Sequence, residues 1–137
     1  MAGAILAIAG LALAAPAAHY ATQGRWSVEA LWLWLLSGLY FASGVLYVKF
    51  RVLSAHARDE RVRRWCAAYH SFLLASLAAL TATGSLNLFA LIAFAPVLAR
   101  AFWHLVRPSG RLNLKRIGWL EVAYSVLFVL FAAASFQ

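Results

Sequence analysis

Residues 28–50 read Val28-Glu-Ala-Leu-Trp-Leu-Trp-Leu-Leu-Ser-Gly-Leu-Tyr-Phe-Ala-Ser-Gly-Val-Leu-Tyr-Val-Lys49-Phe50, and nothing between Glu29 and Lys49 carries a charge. As a helix those nineteen residues rise about 28 Å, close to the roughly 30 Å hydrocarbon core of a bilayer. Leu, Trp, Tyr and Val fall on every face of that helix, so its apolar surface needs a complete apolar surround. The 137-residue chain is 65% hydrophobic and 12% charged, with a mean hydropathy of +0.80. A water-soluble fold of this length cannot hide so much apolar surface, so the excess faces lipid.

Four more stretches fit the same reading, at about 2–18, 65–83, 86–103 and 117–136. The fold class expected is all-α, a multi-pass transmembrane helical bundle of about five spans forming a single domain over 1–137. Segment 2–18 is short and rich in small residues, like a signal-peptide cleavage region. It lacks the positive stretch that precedes such regions, so it reads as a first span. Its cleavage or failure to insert would leave four spans.

The net charge of +8 and pI near 10.6 would suggest nucleic acid in a soluble chain. Here the basic residues flank apolar runs, where they set orientation, and no nucleic-acid partner is expected. Eleven of the twelve lie between spans two and three or beside spans four and five; Arg25 alone lies on the other side. The positive-inside rule then makes both loops cytoplasmic and puts the C-terminus outside. Trp65, Trp103 and Trp119 fall at the inner interface, and Trp26 and Trp32 near the outer one. The partners implied are the bilayer and anionic lipids at its cytoplasmic face, together with a membrane-protein partner or a second copy of the chain.

Chemistry-bearing motifs do not emerge. Cys66 is the single cysteine, which excludes an intrachain disulfide, a redox pair and a thiolate zinc site. There is no Gly-rich phosphate loop, no HExxH and no GxSxG, so no cofactor is implied and the chain alone does not read as an enzyme. His70 and His104 fall at similar depth near the inner ends of spans three and four. That raises bis-His haem ligation, against the commoner role of interfacial histidines without a cofactor.

Lys49, Asp59, Arg100 and Glu121 are the candidate polar or lipid-contact residues. Lys49 and Arg51 close span two, where long basic side chains snorkel toward headgroups. Asp59 and Glu60 stand four residues before Arg63 and Arg64, the favourable order for helix ion pairs. Glu121 lies about a turn inside span five and Arg100 at a similar depth in span four. The plain expectation is an ion pair locking the two helices; the sharper one is contact with a headgroup or substrate. Small residues at four-residue spacing, Ala75, Ala79 and Thr83 and again Gly38 and Ala42, predict close helix packing. Pro96 predicts a kink in span four, and the uncharged turn 83–87 an antiparallel hairpin of spans three and four.

Two stretches carry a family resemblance. Leu39-Tyr-Phe-Ala-Ser-Gly-Val-Leu-Tyr-Val-Lys49 runs into a basic loop, and Arg111-Leu-Asn-Leu-Lys-Arg-Ile-Gly-Trp-Leu-Glu121-Val-Ala-Tyr-Ser leads the last span. Over about 30–135 the chain resembles the C-terminal half of the YwiC-like bacterial membrane proteins, which are distantly similar to UbiA-type prenyltransferases. The resemblance implies a helical bundle in the bacterial plasma membrane, of unassigned biochemical role; the basic cytoplasmic rim read from the residues would hold a lipid or isoprenoid headgroup. UbiA-type enzymes use paired Asp-rich motifs to hold magnesium and a prenyl diphosphate, and this chain has one Asp, Asp59. Two alternatives stay open: a partner-dependent enzyme of prenyltransferase ancestry, and a small transporter subunit with Arg100 and Glu121 on its pathway.

Overall fold

The computed structural model describes residues 2–56, 60–107 and 114–135, and every regular element among them is an α-helix. Asp59, with Arg58 and Arg111, lies outside the described residues. Five helical segments are long and apolar enough to cross a membrane: Ile5–Gln23, Val28–Leu53, Glu60–Ala82, Leu88–Val106 and Lys115–Ala134. The chain is an all-α integral membrane protein. It divides into two compact units, Met1–Ala42 and Ser43–Gln137.

The first unit holds α1 (Ala2–Ala12), α2 (Ala14–Gln23) and the opening turns of α3 (Val28–His56). A single turn at Leu13 separates α1 from α2, and its cause lies three residues on. Pro16 has no N–H for the Ala12 carbonyl, and its ring crowds that carbonyl. The span nevertheless continues to Gln23, five residues past the expected end at 18. The helix stops where Gly24 takes a left-handed φ of 68° and donates to the Tyr20 carbonyl at 2.8 Å. A Cβ on Gly38 would meet the Ala12 Cβ at 3.8 Å, so the small residue expected at a packing face is at one. Pro16→Ala supplies the missing donor and is expected to fuse α1 with α2. Amide exchange at residues 13–17 would then slow, and unchanged exchange would discount the proline as the cause of the break.

The second unit comprises α3 from Ser43 onward, α4 (Glu60–Ala82), α5 (Leu88–Val106) and α6 (Leu114–Ala134), with α5 packed against both α4 and α6. Residues 51–56 and 60–64 extend α3 and α4 beyond the apolar runs. The α4 stripe of Ala75, Ala79 and Thr83 is exposed, contrary to expectation. The buried face of α4 is Cys66, His70, Leu73 and Leu77. The small residues permitting close approach come instead from α5, through Ala90, Ala93 and Ala101. α5 passes through Pro96 without interruption, and Phe94 meets Phe128 of α6 edge to face at 5.3 Å.

α4 and α5 form the expected hairpin. Gly84 adopts φ 73° and donates to the Thr81 carbonyl, while Ser85 donates to Leu80 at 2.9 Å, a Schellman closure. Asn87 then caps α5 by accepting from the Phe89 amide.

Candidate functional site

The polar side chains of the second unit gather toward the end of the spans where the basic residues lie. α3 places Ser43, Tyr47 and Arg51 at four-residue intervals, so all three share one face of an otherwise apolar helix. All three are buried. For Arg51 this corrects the snorkelling expectation, because α3 does not end there but continues to His56. Lys49, half a turn away, is exposed and stands apart from this group.

Ser43 faces His70 of α4, whose ring is fully buried. Nδ1–H donates to the Cys66 carbonyl at 2.7 Å, which fixes the neutral tautomer and leaves Nε2 to accept from Ser43 Oγ at 2.9 Å. With both ring nitrogens engaged, His70 has no lone pair for a haem iron. Among the described residues no three His, Cys, Asp or Glu side chains gather as a metal site. Cys66 is itself buried, which closes it to lipidation.

Arg100, at the start of the last two turns of α5, is the centre of the group. Its guanidinium lies over the Tyr47 ring at 3.9 Å and near the Tyr124 ring at 5.1 Å. Nη1 donates to Glu121 Oε1 of α6, so the expected ion pair between these helices forms. The Arg100 side chain is only 5% exposed and that of Glu121 25%, so the carboxylate is the more accessible partner. Stacking engages the face of a guanidinium, whereas its N–H groups point outward in the plane. Glu121 engages Nη1, and among the described residues Arg100 Nε and Nη2 are buried with no hydrogen-bond partner. His104, one turn after Arg100, donates through Nδ1 to the Arg100 carbonyl at 3.0 Å and lies 3.2 Å from Tyr47 Oη. Tyr47 thus braces both α5 residues. Tyr47→Phe keeps the ring under Arg100 and is expected to cost less than about 1 kcal/mol, whereas Tyr47→Leu removes both contacts and should cost at least twice as much. Equal losses in detergent unfolding would assign the whole effect to the hydroxyl.

Glu121 also faces outward. Together with Val122, Ser125, Val126, Val129 and Leu130 it lines an open groove of about 420 Å³ along α6, in which it is the one charged residue. A second groove, of about 330 Å³, lies on the first turns of α4 and is lined by Arg61, Arg64, Trp65 and Ala68. Glu60 does not pair with Arg64 as the spacing suggested but with Arg63 at 3.3 Å. Arg63 reaches toward α5, where it also donates to the Leu105 carbonyl, and that draws it onto the Glu60 side of the helix. Arg64 is left facing the groove with Trp65, which is two-thirds exposed as an interfacial indole is.

The sequence reading paired Arg100 with Glu121 and singled out His104 beside His70 rather than beside Arg100, but missed Tyr47 and Tyr124. The signal for Tyr47 was present in the polar stripe 43, 47 and 51. Nothing in the sequence marked Tyr124, since a tyrosine in a span is ordinarily apolar lining. No protein-family model, curated protein or solved structure matches the chain.

Proposed function

We propose that this chain is a non-catalytic membrane protein, similar to the YwiC-like kind, that holds the headgroup of an anionic lipid or isoprenoid at the cytoplasmic face of a bacterial plasma membrane. The observation that carries this reading is the groove of Arg61, Arg64, Trp65 and Ala68. Two guanidinium groups beside an interfacial indole, at the start of a helix, supply what a phosphate headgroup needs. They bring fork-shaped donors, the positive end of the helix dipole and an amphipathic wall at headgroup depth. The positive-inside rule supports placing this groove, and loops 2–3 and 4–5, in the cytoplasm, with the C-terminus outside. The stretches 39–49 and 111–125 support the YwiC-like resemblance.

Native mass spectrometry of the protein released gently from its own membrane tests the reading. Wild-type protein is expected to retain a lipid or prenyl phosphate mass, and Arg61→Gln/Arg64→Gln to lose most of it. A bare wild-type chain, or equal retention by the double variant, would overturn the assignment and leave the basic rim as a topology signal.

A further inference from the structure

The α6 groove and the buried guanidinium behind it point to a second site, separate from the α4 rim. We infer that Arg100 binds the anionic head of a lipid, a carboxylate or phosphomonoester, whose hydrocarbon chain lies in the α6 groove, and that Glu121 holds that position when no ligand is bound. This inference shares with the proposed function only the placing of the basic end in the cytoplasmic leaflet.

Three observations converge. Arg100 is almost wholly buried and, among the described residues, its Nη2 has no acceptor beside the Nη1 that Glu121 engages, so a two-oxygen anion in place of the one Glu121 oxygen can take both Nη groups. Glu121 is the side chain between the guanidinium and the groove: it pairs with Arg100 and also lines the groove wall. The rest of the groove is nearly all aliphatic, with Val122, Val126, Val129 and Leu130 along two and a half turns of α6. From residue 121 to 130 that is about 14 Å at 1.5 Å per residue, close to half of a roughly 30 Å hydrocarbon core. A head at Arg100 therefore sits toward the basic end, and its chain runs to the middle of the bilayer, as for a lipid of that leaflet. The anion and Glu121 compete for one edge of the guanidinium, so removing the Glu121 charge strengthens binding.

Thermal unfolding in mixed micelles tests this on the full chain. The probes are phosphatidic acid, phosphatidylcholine and inorganic phosphate, and the proteins are wild type, Glu121→Gln, Val126→Trp and Arg61→Gln/Arg64→Gln. Phosphatidic acid, but not phosphatidylcholine, is expected to raise Tm, with about tenfold tighter binding in Glu121→Gln, the weight of one charge-assisted hydrogen bond. Val126 is lipid-exposed, so Val126→Trp should keep the basal Tm while filling the groove and abolishing the shift. Inorganic phosphate should shift none of the four proteins, and an equal shift with it would replace the lipid by a free anion and overturn the proposal. A phosphatidic acid shift that survives Val126→Trp, or no tightening in Glu121→Gln, would also overturn it. Loss of the whole shift in Arg61→Gln/Arg64→Gln would assign it to the rim instead. Its persistence there, with lipid lost from the rim in native mass spectra, separates the two sites.

Discussion

In the absence of added anionic lipid, Glu121→Gln is expected to destabilise the protein by about 2 kcal/mol, and to cost almost nothing further once Arg100 is already Gln. The argument turns on what each single change leaves behind. Removing the carboxylate strands a guanidinium of 5% exposure with one neutral acceptor, and an uncompensated buried charge is among the most damaging of single changes. Removing Arg100 strands a carboxylate that is a quarter exposed and can move outward into its groove, so that loss should be the smaller of the two. The double variant has neither charge to bury, and the coupling in the cycle is expected at roughly 1–3 kcal/mol. Reversible unfolding in detergent measures all four proteins. Additive losses would mean that the contact between Arg100 and Glu121 contributes no net energy.

A comparably large effect is expected at Phe94, for a different reason. Its side chain has no exposed surface and meets the Phe128 ring edge to face. Within a bilayer the transfer of apolar surface from water no longer distinguishes folded from dispersed helices, so packing and its loss dominate. Phe94→Ala opens a cavity between α5 and α6 and is expected to cost about 3 kcal/mol. Phe72, on the lipid-facing side of α4, is 73% exposed and supplies the control. Phe72→Ala should change stability by less than about 0.5 kcal/mol. Similar losses at both positions would show that α5 and α6 are not held by close packing.

Both predictions depend on knowing which face of a span looks inward, and that was the hardest thing to read from the sequence. Span number and class were legible because nineteen uncharged residues in one run admit few other structures. Glu121 and Arg100 were legible as a pair because ionisable groups at matching depth rarely stay apart in lipid. Facing was not, because lipid and protein interior are equally apolar and a span therefore shows little periodicity. The stripe of Ala75, Ala79 and Thr83 satisfies the small-residue pattern on a face that is exposed. The face α4 does bury was marked only by Cys66 and His70, four residues apart. Arg51 misled for a related reason: the apolar run ends near Phe50, but the helix continues to His56, and Arg51 is buried.

The turn between α4 and α5 bears on how the protein is assembled. A connector that must be carried through hydrocarbon is costly when its amides are bare, at several kcal/mol for each unsatisfied group. Here the amides of Thr83, Gly84, Ser85 and Leu86 all end on carbonyls of residues 79–81, and the Thr83 hydroxyl donates to Leu80. No residue from 65 to 99 is charged. A segment that closes its own backbone and carries no charge can enter the membrane as a preformed pair of helices. α4 and α5 are thus joined by a connector that leaves no bare amide from Thr83 to Leu86, and α6 packs on that pair through Phe94 and Arg100.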